Sequence, residues 1–195
     1  MKITEFNNPH LIHAATLKYD ESSPSLIDRD WHIGVDRNPG VVYFITVNDE
    51  IYKVGGSTQH IKSLVSQYIL NLTSKAEPQF TRFPIYLMMV WLLSRGYRID
   101  YYYMNVVPYK IHIPNMLTGG TVEVIVNDFH GFETGCIQHV TDINGDVPKW
   151  NIAESDYCFN EGLRVLFENR LLKVKTNQSE LFDYDEFLST EWNFL

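Results

Sequence analysis

The segment from Val41 to Gly55, VVYFITVNDEIYKVG, constrains the fold of this chain more than any other. Two runs of β-branched and aromatic residues flank Asn48 and Asp49, and these two residue types favour tight hairpin turns. We therefore predict an antiparallel hairpin that ends at Gly55-Gly56. Ser57 or Thr58 can then cap a helix. Apolar residues recur in that helix at helical spacing, at Ile61, Leu64, Val65 and Tyr68.

Further helices and strands follow the hairpin. The apolar run PIYLMMVWLL predicts a buried helix over about Pro84–Ser94, because it is far shorter than the roughly 20 residues needed to cross a bilayer. YRIDYYYMNVV predicts a strand. KIHIP and TVEVIV predict two more strands, which either extend the sheet or form an inserted hairpin. Residues 127–148 are rich in Gly and Asp and predict a long loop, and residues 154–175 predict a last strong helix.

These elements predict an α+β fold, a small mixed and mainly antiparallel sheet flanked by helices, with an inserted β segment. The expected organisation is an irregular N-terminal arm (1–38), one domain (39–177) with an insertion at about 108–150, and an acidic aromatic tail (178–195). The hairpin is expected at the centre of the sheet. Aromatic residues are dense in the tail, so we expect it to dock as a short amphipathic helix.

The net charge of −8 argues against a generic polyanion binder, because affinity for nucleic acids depends largely on Lys and Arg. Without the five acids of the tail, however, residues 1–177 carry only −3, and a local basic face is still open. The cysteines, Cys136 and Cys158, lack a paired spacing, and the N-terminus has no apolar core of signal-peptide type. A reducing cytoplasm is the expected compartment, with no membrane span.

The hairpin resembles the signature of the GIY-YIG nucleases. VVY stands in place of the first strand motif, and YKVG stands in place of the second, with one residue added before the glycine. The segment IYLMMVWLLSRGYRIDYYYM has the family's second helix and following strand. LFENRLLK resembles its last motif, a glutamate inside an apolar helix, and this match corresponds to Glu168. The resemblance implies a divalent-metal-dependent endonuclease of restriction-enzyme or phage kind, hydrolysing phosphodiester bonds in DNA.

The resemblance also implies a site. Glu168 is expected to bind Mg²⁺ or Mn²⁺, Tyr43 and Tyr52 to lie near the attacking water, and all three to share one cleft. The arginine that the family places in its first helix is absent from HIKSLVSQY, which leaves His60 and Lys62 as the nearest basic residues. Other candidates for the basic role are Lys53, Arg82, Arg95 and Arg98.

Several alternatives stay open at this point. Glu161 is a second candidate metal ligand, and Asn177 competes with Asn151 as the asparagine that closes the site. Asp128, His130 and Glu133 could bind a cation or form a polar turn. DNA is the expected partner, RNA is the open alternative substrate, and a homodimer is possible. The second functional hypothesis is a catalytically degraded binding module that engages a protein or nucleic acid without cleavage.

Overall fold

The computed structural model describes residues 1–34, 40–70, 76–115, 119–151, 161–178 and 182–194. Within them, five strands form the main sheet: β1 (Ile12–Tyr19), β2 (Ile27–Trp31), β3 (Val41–Val47), β4 (Glu50–Ser57) and β5 (Ile99–Asn105). Their spatial order is β2-β1-β5-β3-β4, and each neighbouring pair is antiparallel. With the helices that flank it, this sheet confirms the predicted α+β fold.

The predicted hairpin is formed by β3 and β4. Asn48 and Asp49 form its two-residue turn with φ values of 47° and 70°, the left-handed region that these residue types tolerate. One expectation was wrong, because β4 runs through Gly55-Gly56 to Ser57 instead of ending there. All residues of β3 are buried, since both faces of this strand are covered, which explains its continuous apolar run.

The expectation of an irregular N-terminal arm was wrong for β1 and β2. Both strands join the main sheet, with β1 paired to β5. This addition also makes β5 the central strand and β4 an edge strand. The prediction that the hairpin lies at the centre of the sheet was therefore wrong. The pattern is hard to recognise because β2 reads IDRDW, and charged residues of this kind are typical of an exposed edge rather than a strand interior.

One face of the sheet is covered by α1 (Ile61–Tyr68) and α2 (Arg82–Ser94). Residues 83–93 of α2 are all buried, as their apolar run predicts. Among the described residues, no helix combines the length and apolar character needed to span a bilayer.

The insertion begins with a separate hairpin, β6 (Tyr109–Pro114) and β7 (Thr121–Val126). These strands pair only with each other in the described part of the chain, so they form an inserted hairpin and do not extend the main sheet. Helix α3 (Phe129–Asn144) follows and packs across β3 and β4 on the face opposite α2.

Helix α3 replaces the long loop predicted for residues 127–148. The side chain of Asp128 caps its start by accepting a 2.9 Å hydrogen bond from the Gly131 amide. Gly145, at φ 79°, ends it in the left-handed conformation. The prediction was wrong because Gly131 and Gly135 lower the helix propensity of the segment. An apolar stripe is nevertheless present at Phe129, Cys136, Ile137 and Val140.

The C-terminal part packs on the outside of α2. Helix α4 (Glu161–Lys175) contacts α2 directly, and the first residues of its predicted range, 154–160, lie outside the described residues. Helix α5 (Tyr184–Ser189) confirms the short docked helix predicted for the tail, since Phe187 is buried in the core. Phe194 is buried there as well, with its ring centre 5.2 Å from that of Trp91.

Candidate functional site

Tyr43 lies at the centre of the candidate site. It stands opposite Gly55 on the neighbouring strand, and a Cβ atom at Gly55 would lie 2.4 Å from the tyrosine hydroxyl oxygen. Only glycine therefore allows the ring to lie across β4. The hydroxyl forms a 2.8 Å hydrogen bond with the hydroxyl of Tyr68 in α1, and the Tyr43 side chain is almost fully buried, at 5% exposure.

Burial raises the pKa of Tyr43 well above its usual value of 10. The neighbouring hydroxyl of Tyr68 and the negative charge of Glu133 raise this pKa further, since both disfavour a phenolate. Tyr43 is therefore a neutral phenol at physiological pH. Its hydroxyl can orient a bound water or donate a hydrogen bond, but it does not act as a phenolate base.

Glu133 is the carboxylate that the described contacts bring to this hairpin. Its Oε2 atom would lie 2.6 Å from a Cβ atom at Gly56, and the ring of Phe129 would lie 2.8 Å from the same position. The second glycine thus allows α3 to approach β4 closely. Oε2 also lies 3.4 Å from Nδ1 of His130, and the Glu133 side chain is 20% exposed. The carboxylate is held against the backbone yet still reaches solvent.

One basic residue, Arg82, approaches the tyrosine pair from α2, and another, His60, lies at the N-terminal end of α1. The guanidinium carbon of Arg82, the first residue of α2, lies 5.8 Å from the centre of the Tyr68 ring. His60 caps α1, with Nδ1 accepting a 3.2 Å hydrogen bond from the Lys62 amide. Its Nε2 atom is buried and has no hydrogen-bond partner among the described residues. A guanidinium is therefore available next to the tyrosine pair, although the first helix lacks arginine.

Tyr52 and Lys53 occupy an irregularity of β4. The register pairs Ile45 with Lys53 and Thr46 with Ile51, which leaves Tyr52 as an extra, bulged residue. The buried Tyr52 ring packs edge-on against Trp150, with centres 5.3 Å apart. Lys53 is opposite Ile45, two residues from Tyr43, so the register gives it the same face as Tyr43. Its Nζ donates a 3.5 Å hydrogen bond to the Trp150 carbonyl.

The remaining basic candidates have other contacts. Nζ of Lys62 lies 5.2 Å from the centre of the Trp31 ring. The guanidinium of Arg95 stacks on Trp91 at 3.8 Å. Arg98 forms a 2.7 Å ion pair with the fully buried Asp100. Each of these cations is engaged by a neighbour other than Tyr43 or Tyr68.

The residues predicted from the last motif lie on or after α4. Glu168 and Glu161 are both exposed on this helix, and Glu161 forms an ion pair with Arg164. Asn177 follows the helix in a left-handed conformation, with φ at 54°. That Glu168 shares a cleft with the two tyrosines stays a prediction. A different carboxylate, Glu133, is near enough for its charge to raise the pKa of Tyr43.

Asn151 has a role on the backbone of β4. It is buried, its Oδ1 accepts a 2.8 Å hydrogen bond from the Val54 amide, and its Nδ2 donates a 2.8 Å hydrogen bond to the Val54 carbonyl. The Trp150 amide likewise donates to the Tyr52 carbonyl at 2.7 Å. This pair of residues therefore holds the outer edge of β4 immediately before the two glycines of the site.

Sequence reasoning noted Glu133 only as part of an open choice between a cation site and a polar turn. Recognising α3 from its apolar stripe would have shown that Glu133 stands on a helix, one turn past its first residue. Its approach to Gly56 is a tertiary contact, however, and so is the approach of Arg82 to Tyr68. Local patterns carry no signal for either contact.

Comparisons with known proteins identify a shared fold. No protein-family model and no curated protein matches the chain. The structure of a bacteriophage T4 EndoII mutant superposes with a TM-score of 0.55 at 18% identity, over 77% of this chain and 99% of EndoII. The restriction endonuclease HPY188I in complex with product DNA gives a TM-score of 0.44 at 15% identity, over 76% and 84% of the two chains. The second TM-score is too low to establish a shared fold. The chain thus has the overall fold of EndoII.

Proposed function

We propose that this chain is a divalent-metal-dependent endonuclease of GIY-YIG type that hydrolyses phosphodiester bonds in DNA. The observation that carries the proposal is the Glu133 carboxylate, held against Gly56 and close enough for its charge to raise the pKa of Tyr43, whose hydroxyl is hydrogen-bonded to Tyr68. The fold shared with EndoII supports a nuclease-like function. The hairpin motifs support the narrower GIY-YIG assignment.

The donor set around Glu133 fits Mg²⁺ or Mn²⁺. Mg²⁺ prefers oxygen ligands and is commonly held by one or two carboxylates, with waters and substrate phosphate oxygens completing its shell. A single carboxylate that is 20% exposed meets that requirement. When bound, the ion would offset negative charge on the scissile phosphate and the leaving oxygen. Glu168 is the alternative ligand that the motif comparison favours, with Glu161 as a second.

The remaining roles follow from the chemistry of the side chains. The neutral hydroxyl of Tyr43 would orient the attacking water, with its own position held by Tyr68. Arg82 offers a planar pair of donors to two phosphate oxygens, which lysine cannot. Because Nδ1 of His60 accepts a hydrogen bond from the Lys62 amide, the neutral ring carries its proton on Nε2, a donor without a hydrogen-bond partner among the described residues. Lys53 adds positive charge on the Tyr43 face.

A plasmid-nicking assay with Mg²⁺ or Mn²⁺ tests the proposal and separates the two carboxylates. We expect Glu133→Gln to lower the cleavage rate at least about 100-fold, because it removes a group acting on the charged transition state. Glu168→Gln is the matched control, an equally small change on an exposed helix, and should stay within about twofold. The reverse result would assign the metal to Glu168. Circular dichroism of both variants verifies folding.

A catalytically degraded binding module is the second candidate, favoured by the net charge of −8 and by a first helix without arginine. It predicts that the wild-type protein cleaves neither DNA nor RNA with either metal, while still binding a protein or a nucleic acid. RNA is the alternative substrate of the enzyme, and parallel assays on duplex DNA and RNA decide between them. A homodimer and a cytoplasmic location complete the proposal.

A further inference from the structure

The inserted hairpin β6–β7 has one entirely apolar face. In its register, Tyr109 is opposite Val126, Ile111 opposite Val124 and Ile113 opposite Val122. Residues directly opposite each other share a face, as do alternate residues along a strand. We call this set of six residues the apolar hairpin face. The other face is mainly polar, and it includes His112 opposite Glu123 and an ion pair between Lys110 and Glu123 at 2.8 Å.

Among the residues that the structure describes, none covers the apolar hairpin face. Every residue of β6 is exposed. Exposed fractions are 46% for Tyr109, 37% for Ile111, 43% for Ile113 and 42% for Val122. A two-stranded hairpin standing alone is at best marginally stable in water, and more strands or a packed face are needed for stability. Cover from another molecule would therefore stabilise the hairpin.

Charge argues that this cover is not nucleic acid. Binding to phosphates depends on Lys and Arg, and the positive charge of Lys110, the only Lys or Arg in the two strands, is neutralised by its ion pair with Glu123. A second copy of this chain fits better. Each chain carries −8 overall, so two copies repel each other, and the repulsion is weakest where the local charge is zero.

We propose that two copies of the chain associate by packing their apolar hairpin faces against each other about a two-fold axis. An apolar face without charges is complementary to itself, and a two-fold contact uses the same surface of both partners. Two hairpins stacked about 10 Å apart become a four-stranded sandwich with the polar faces in water. The inference is independent of the proposed nuclease activity.

The contact should be weak. A standard interface takes about 800 Å² from each partner, and six side chains on a narrow two-stranded hairpin provide less than that. The apolar surface continues beyond the face, however. Val107, at the base of β6, is 76% exposed and lines a 490 Å³ cavity together with Phe132 of α3. We therefore expect a dissociation constant on the order of 10 µM, typical of a small interface.

Sedimentation equilibrium between about 1 and 200 µM tests the proposal, in a range chosen to bracket that constant. Wild type should pass from monomer to dimer with concentration. Ile111→Glu puts like charges into the contact and should weaken association at least about tenfold. Ile125→Glu is the matched control, because Ile125 stands opposite Lys110 on the other face and is 66% exposed. It should associate like wild type.

Hydrogen exchange on wild-type protein gives a readout that needs no mutation. Amides of residues 109–126 should become more protected as concentration rises through the dissociation constant, while those of β3 and β5 should not change. A wild type that stays monomeric at 200 µM overturns the proposal. Equal effects of the two glutamate variants overturn it too. The proposal is also overturned if the wild type never dimerises and Ile111→Glu loses DNA binding. That result would assign the face to DNA.

Discussion

The two hairpins of this molecule have similar strand sequences and opposite surroundings. Both β3–β4 and β6–β7 are antiparallel pairs rich in β-branched and aromatic residues. Every residue of β3 is buried between helices on both faces, whereas every residue of β6 is exposed. Strand propensity is therefore sufficient to predict both hairpins, but it does not determine which one joins a core. Cover from the rest of the chain makes that difference.

The largest expected contrast between the hairpins is in stability. Phe44→Ala in β3 removes a fully buried ring that packs 4.9 Å from Phe6, and we expect a cost of about 3–5 kcal/mol in unfolding free energy. Ile111→Ala in β6 should cost less than about 1 kcal/mol in dilute, monomeric protein. Urea unfolding below 1 µM, well under the expected dissociation constant, measures both. Similar costs would mean that β6–β7 is covered within one chain.

The glycines of the covered hairpin offer the next test. Gly55→Ala should destabilise by about 2–3 kcal/mol, because its Cβ meets the Tyr43 ring and the ring or strand must shift. Gly135→Ala is the control, since a Cβ there has no atom within 4 Å and alanine favours a helix. It should stabilise by about 0.5–1 kcal/mol. Thermal unfolding compares the two. A neutral Gly55→Ala would contradict the close packing of Tyr43.

How far the sequence predicts this fold depends on whether the signal is local. The β3–β4 turn at Asn48-Asp49 and the apolar run of α2 were predicted correctly, because turn chemistry and uninterrupted hydrophobicity are properties of neighbouring residues. Strand β2 and helix α3 were missed, because charges in an edge strand and glycines in a helix oppose local propensity. Strand β1 was missed with them, because it was assigned to the irregular arm.

The candidate site follows the same rule. Tyr43 was predicted from its motif, and its hydroxyl forms a hydrogen bond with that of Tyr68. Glu133 was noted but not chosen over Glu168, since its place depends on how α3 crosses Gly56. Tyr68 was predicted only as an apolar helix residue, and its hydrogen bond to Tyr43 joins strand and helix. Contacts of this kind are set by tertiary packing and leave no local periodicity.

Asn151 distinguishes the edge of the covered hairpin from that of the exposed one. Asn151→Ala removes both hydrogen bonds to Val54 and leaves two buried backbone groups without partners, so we expect a loss of about 2 kcal/mol. Asn169→Ala, on the exposed side of α4, should change stability by less than about 0.5 kcal/mol. The midpoints of urea unfolding measure the stability of both variants against wild type. Faster amide exchange confined to β4 in the first variant would locate the effect, and unchanged exchange there would contradict it.

The smallest expected effect is a pH dependence of the covered hairpin. Burial raises the pKa of Tyr43, so its contribution to stability is complete below its ordinary pKa of about 10 and is lost as pH rises above it. Tyr43→Phe should therefore lose less stability than wild type, by about 1 kcal/mol, between pH 10 and 11. Absorbance at 295 nm follows tyrosine ionisation in parallel. An identical decline in both proteins would show that Tyr43 ionises without constraint.

The bidentate contact of Asn151 with Val54 also bears on aggregation. Its amide reproduces the donor and acceptor of a peptide group, so the free edge of β4 is already occupied at that point. The opposite edge of the sheet is β2, which presents Asp28, Arg29 and Asp30 and disfavours a foreign strand by charge. Edge-to-edge polymerisation of the main sheet is thus blocked at both ends by different means. Copies of the chain can meet through side chains without templating a growing β-fibre.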